Sequence, residues 1–129
     1  PGEALPGNRG RVLGDKKAAF DSSLGSITQW TSPNTWFSWS FKIAEVGDYT
    51  LEIKQAYDGE DAVDLIVYVA NQTLTGTAVD TGNFSSFRPL RLDGKIKLEK
   101  DTIYTIVLKA GDNTAPRMMD IGAIRFIKS

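Results

Sequence analysis

The sequence predicts an all-β protein, an antiparallel β-sandwich of the jelly-roll kind with two sheets of about four to five strands each. Three observations carry this. Residues 36–43 alternate strictly, with Phe37, Trp39, Phe41 and Ile43 on one side and Trp36, Ser38, Ser40 and Lys42 on the other. That period of two belongs to a strand with one face in a core and the other nearer solvent. Short β-forming stretches recur, roughly nine or ten in all, with turn signals about every eight to twelve residues and no helix-period segment of useful length. The chain contains no cysteine, so it lacks the Cys-Trp-Cys frame of an immunoglobulin domain, and the higher strand count favours a jelly roll.

Taken in order, residues 1–15 carry four glycines and two prolines without a sustained period, which predicts an irregular lead-in or linker before a single domain over residues 16–129. Residues 17–20 suit a short first strand, 21–26 a Ser/Gly loop and 31–34 (TSPN) a turn. After the central strand, Gly47 suits a tight connection into residues 49–56, where Tyr49, Leu51 and Ile53 alternate with Thr50, Glu52 and Lys54; two such strands make a hairpin. Residues 57–61 are a polar loop and 62–70 a dense β-former run. Residues 74–79 form a strand in which Gly76 suggests a bulge. Residues 84–92 are extended, with Pro89 barring a regular central strand. Strands over 95–98, 102–109 and 118–127 follow, the last after a polar loop at 110–116.

Composition narrows the function classes. A length of 129 residues suits one domain with a substantial core. A net charge of −1 and no basic run beyond Lys16-Lys17 give no reason to expect nucleic acid or anionic membrane. The absence of histidine and cysteine removes Ser-His-Asp chemistry, thiol catalysis and zinc-thiolate sites. Apolar runs are too short to insert in a membrane. A start at Pro1 without methionine or an apolar leader reads as a segment of something larger. The acidic residues sit mostly in turns, at Asp48, Asp58, Glu60, Asp61, Asp80, Asp93, Glu99, Asp101 and Asp112. A glycosidase needs two carboxyls held across one bond with their pKa values pushed apart; these turn positions instead suit turn chemistry and solubility, and the chain reads as non-catalytic.

The aromatic strand followed by Val46-Gly47-Asp48-Tyr49-Thr50-Leu51 resembles the signature of galactose-binding-like β-jelly-roll carbohydrate-binding modules, families 6 and 35 and their relatives. Further motifs follow in the same order. Gln55-Ala56-Tyr57 is similar to the family's strand ending at a loop tyrosine, residues 64–69 to its next strand, and Thr81-Gly82-Asn83-Phe84 to its TG-x-aromatic turn. Met119-Asp120-Ile121 leading to Phe126 is similar to its closing strand. Residues 97–101 depart from its usual L-x-x-G, while residues 17–30 look like modules appended to bacterial α-L-fucosidases. The resemblance spans about residues 17–128.

It implies a carbohydrate-binding accessory module of an extracellular, periplasmic or cell-surface glycan-degrading protein, whose partners are a glycan and a neighbouring domain of the same polypeptide. A module that packs against a catalytic domain and binds no sugar is the rival reading. Sugar binding needs flat apolar faces and a few fixed polar groups. The candidates are Trp36, Trp30, Tyr57, Asp58, Asn113 and Arg117. Trp36 and Trp30 either pack under the loop at 27–34 or offer a ring to ligand. Tyr57 is the rim tyrosine by resemblance, or else a cap on the core, and Asp58 beside it is an acceptor or a solvated loop residue. Asn113 and Arg117 lie where relatives place an asparagine and an aromatic; here the aromatic is missing, and Arg117 could bind an acidic sugar bidentately. The resemblance also points to Asp120 as a candidate ligand for structural calcium, but the acidic partner on the first strand is missing, with only Asp15 or Glu3 to substitute, so no metal or other cofactor is expected.

Overall fold

The computed structural model describes residues 3–111 and 116–129. These form twelve strands: β1 (Glu3–Pro6), β2 (Arg11–Gly14), β3 (Ala19–Asp21), β4 (Ser26–Thr28), β5 (Thr35–Phe41), β6 (Gly47–Ala56), β7 (Asp64–Val69), β8 (Gln72–Thr77), β9 (Arg88–Arg91), β10 (Ile96–Leu98), β11 (Tyr104–Ala110) and β12 (Asp120–Lys128). All ladders between them are antiparallel. They make two sheets, of seven and five strands, so the jelly-roll sandwich is as the sequence predicts while one sheet is larger than the four to five strands expected.

The extra strands follow from chain length. β6 and β12 are the longest strands, ten and nine residues, and pair from Tyr49↔Lys128 to Ala56↔Asp120. Each has room along its free edge for two short strands end to end. β10 and β9 share the edge of β6, and β1 and β4 share that of β12. The ladder of β12 shifts between Ile121 and Ala123. The bulge inserts one residue, which lets Ile121, Ile124 and Phe126 all bury although their spacing breaks a strict alternation.

The second sheet runs β2-β5-β11-β7-β8. Its inner face presents Phe37, Trp39 and Phe41 from β5, Ile106 and Leu108 from β11, and Leu65, Val67 and Val69 from β7, all buried. Facing them are Tyr49, Leu51 and Ile53 of β6 with Ile124 and Phe126 of β12. Phe41 and Phe126 meet across the core at 4.6 Å between ring centroids. Each buried aliphatic or aromatic side chain contributes about 1.5–3 kcal/mol, and this layer is the main stabilising element of the domain.

Residues 3–14 are not an irregular lead-in. β1 is an edge strand of the seven-stranded sheet and β2 of the five-stranded one, and a single turn of 3-10 helix at Gly7–Arg9 carries the chain between them. The crossing is fixed by Trp39, whose Nε1–H donates to the Pro6 carbonyl at 3.0 Å. The sequence hides these strands because each is only four residues long and ends on proline or glycine. Gly76 is likewise not a bulge: it pairs in regular register with Leu65. A Cβ there would stand 2.7 Å from Leu92 Cδ2, so the glycine serves close packing. No helix among the described residues is long and apolar enough to cross a membrane.

A Cβ on Gly10 would lie 2.6 Å from the Trp39 ring. Gly10→Ala therefore forces the indole or the crossing to move and is expected to cost about 1–3 kcal/mol, measured by urea unfolding.

Candidate functional site

The predicted site residues separate into buried and surface groups. Trp30 is fully buried. Its Nε1–H donates to the Thr35 carbonyl at 3.0 Å and its ring meets Phe37 edge-on at 4.8 Å, so it belongs to the core and not to a ligand surface. Tyr57 is also in the core, 3% exposed. Its hydroxyl donates to the Asp61 carbonyl at 3.0 Å, closing the loop that carries Asp58. Burial, and then the charges of Asp61, Asp80 and Asp58, hold its phenol above the ordinary tyrosine value. Tyr57 caps the core rather than standing at the rim. Asp58 is exposed beside it. Asn113 lies outside the described residues.

Arg117 is built into the structure. Its Nη2 donates to Thr28 Oγ1 at 3.0 Å and to Asp120 Oδ1 at 3.2 Å, and its guanidinium carbon lies 3.6 Å from the centroid of Phe84. Phe84 in turn meets Tyr57 edge-on at 6.3 Å. Tyr57, Phe84 and Arg117 thus form one contiguous run at an end of the sandwich. Phe84, given no role from sequence, is the piece that joins them; the TG-x-aromatic turn was the available signal.

Asp120 is fully buried. Burial raises its pKa above the ordinary carboxylate value, opposed by hydrogen bonds from Thr28 and Arg117 and by the guanidinium charge. These side chains do not fit calcium. The positive charge beside the carboxylate is already supplied by Arg117. Asp120 Oδ2 has no partner among the described residues, but one oxygen falls far short of the roughly six that calcium takes. Asp15 is turned away to accept from Ser32 and Thr35, and no group of three metal-ligating side chains converges among the described residues.

Trp36 is different. It is half-buried on the outer face of the five-stranded sheet. Its ring lies against Gly14, with Lys109 Nζ 4.8 Å from the centroid. Strand register extends this into a row, since Leu13 stands opposite Trp36, Lys109 opposite Ile66, and Ile66 opposite Thr75. A second row runs Arg11, Ser38, Val107, Tyr68 and Thr73. Tyr68 is 42% exposed. Beside it lies a groove of about 460 Å³ lined by Tyr68, Gln72, Thr73, Thr105 and Val107. A second groove of about 390 Å³, lined by Asp64, Ile66, Thr75 and Thr77, lies on the same face. The alternation of 64–69, which puts Tyr68 outward with Asp64, is the signal in the sequence for this face.

The arrangement of sheets is shared with known structures. A family 35 carbohydrate-binding module from Clostridium thermocellum superposes with a TM-score of 0.80 over 100% of this chain and 99% of its own, at 9% identity. The fold is that of carbohydrate-binding modules. The C-terminal family 6 module of a marine laminarinase from Zobellia galactanivorans gives 0.71, covering 99% of this chain and 100% of its own at 14% identity. A family 35 module from an environmental isolate gives 0.66, covering 91% and 82% at 24% identity. No family model matches the sequence. No curated protein matches it either.

Breaking the Arg117–Asp120 pair from the cation side leaves a buried carboxylate uncompensated. Arg117→Ala is expected to cost about 3–5 kcal/mol near neutral pH, read from urea unfolding. Because the folded pKa of Asp120 lies above its unfolded value of 3.8, the folded state binds the proton more tightly. The stability this contributes is complete below the unfolded value and is lost as pH rises through the folded one. The Arg117→Ala penalty accordingly shrinks on acidification, where a protonated Asp120 needs no cation, and Asp120→Asn added to it recovers most of the loss.

Proposed function

We propose that this domain is a non-catalytic carbohydrate-binding module whose ligand lies across the outer face of the five-stranded sheet. The observation that carries this reading is that Trp36 and Tyr68, two aromatic rings, share one sheet face, with the hydroxyls of Thr73 and Thr105 beside Tyr68 and that of Thr75 beyond Ile66. Ring faces take the C–H surface of a pyranose, and fixed hydroxyls take its hydroxyl groups. The Lys109 ammonium over Trp36 is easily displaced, since an exposed cation–π contact is worth about 0.5–1 kcal/mol. Once moved, it can donate to a sugar hydroxyl. The likeness in fold to modules of families 35 and 6 supports the same reading.

In this proposal the domain acts as an accessory module of an extracellular, periplasmic or cell-surface glycan-degrading protein. It concentrates a neighbouring catalytic domain at its polysaccharide through a weak site. The rival, a module that only packs against another domain, is favoured by one observation: Trp30 and Tyr57, the aromatic candidates at the loop end, are both buried. We also propose that the domain holds no calcium, the Arg117 guanidinium serving as the internal cation for Asp120.

Affinity electrophoresis through a panel of neutral polysaccharides tests the choice of function and of site together. Retardation by at least one polysaccharide is expected, weakened about tenfold by Trp36→Ala and by Tyr68→Ala, as loss of a stacking contact worth about 1–1.5 kcal/mol requires. No retardation on any of them supports the packing module instead. Thermal unfolding in excess chelator and in excess calcium gives the same midpoint if Arg117 serves as the cation; a rise with calcium speaks against it.

A further inference from the structure

The outer face of the seven-stranded sheet carries a different chemistry. β6 turns Glu52 and Lys54 outward. Arg125 of β12 and Arg91 of β9 both stand opposite Glu52 in register, and Pro89 stands opposite Lys54. Arg88 begins β9 beside them. Four cations thus share a small area with one carboxylate, in a chain whose net charge is −1. Glu52 gives its ion pair to Arg91, at 3.0 Å. Among the described residues no carboxylate pairs with Lys54, Arg88 or Arg125. These three line a groove of about 240 Å³ together with Glu52, Phe87 and Pro89. Lys54 is positioned there: its Nζ lies 5.4 Å from the centroid of Phe87, and its stem packs where the bulge places Gly122, about 3.2 Å from that residue's missing Cβ.

We propose that this groove is a second saccharide site, selective for a carboxylate or sulfate group carried on a polysaccharide. Like charges crowded on one sheet face repel one another, and a bound anion relieves that repulsion. An arginine guanidinium meets a carboxylate or sulfate through two parallel N–H donors. Phe87 and Pro89 supply flat apolar surface for the C–H face of the sugar ring, and Glu52 can accept from a ring hydroxyl. The groove's volume suits one sugar residue of a longer chain. The site is independent of Trp36 and Tyr68, which occupy the outer face of the other sheet.

The test is affinity electrophoresis of the full chain through polygalacturonate, which carries only carboxylates, through dextran sulfate, which carries only sulfates, and through unmodified dextran. Single-stranded DNA serves as the competing polyanion. Retardation by polygalacturonate or dextran sulfate but not by dextran is expected. Arg125→Ala should weaken it about tenfold, the value of one charge-assisted hydrogen-bonded contact, and Lys54→Ala added to it should weaken it further. Arg125→Lys, which keeps the charge without the fork, should recover only part. The doubly substituted Trp36→Ala/Tyr68→Ala protein should retain the acidic binding even where neutral binding is lost, which separates this site from the one on the other sheet. Three results would overturn the proposal: no retardation by either acidic polymer, retardation indifferent to Arg125→Ala, or DNA displacing the sugar polymers at equal charge.

Discussion

Trp39 is the side chain on which the arrangement of this domain depends. It is among the largest fully buried side chains, and its indole N–H cannot be left without a partner in an apolar core. The partner it finds is the Pro6 carbonyl. That one bond fixes where the N-terminal segment leaves the seven-stranded sheet and enters the five-stranded one, with Gly10 packed against the ring. Trp30 obeys the same rule by bonding the Thr35 carbonyl at the start of β5. The same strand then sends Phe37 toward both tryptophans and Phe41 toward Phe126, so one alternating strand sets the contents of the core and the route of the chain around it.

Committing these rings to the core determines what remains for ligands. The outer faces carry few large aromatics, and the two sheets differ. One face presents Trp36 and Tyr68 among threonines, with Lys109 over the Trp36 ring. The other presents Lys54, Arg88, Arg91 and Arg125 around a single carboxylate. At the loop end, Arg117 is held between Phe84, Thr28 and Asp120, where it supports the closing strand from within. The domain keeps the carbohydrate-module fold with chemistry of its own at each surface.

Much of the fold was legible because a period of two is local. The alternation over residues 36–56 placed Phe37, Trp39, Phe41, Ile43 and Tyr49 inside, where they lie, and Trp36 on the opposite face. Residues 3–14 were misread because strands of four residues show too few repeats to establish a period, and glycine and proline there mimic a linker. Tyr57 and Trp30 are ligand candidates in the sequence because burial depends on how loops fold over them; the Asp61 and Thr35 carbonyls that hold them are only four and five residues away, but the irregular loops that bring them there show no period. Tyr68 and the basic groove were overlooked for a related reason. Lys54, Arg88 and Arg125 are far apart in sequence and meet only through the register of β6 with β9 and β12.

Hydrogen exchange of the three indole N–H groups, followed by NMR, tests the central role of the aromatic strand most directly. Buried hydrogen-bonded protons exchange only when the surrounding structure opens. Trp30 and Trp39 should exchange as slowly as the most protected backbone amides of β5 and β6, through global unfolding, while Trp36 exchanges rapidly. Fast exchange at Trp39 with those backbone amides still protected would mean that its bond to Pro6 does not hold the crossing, and would contradict the account.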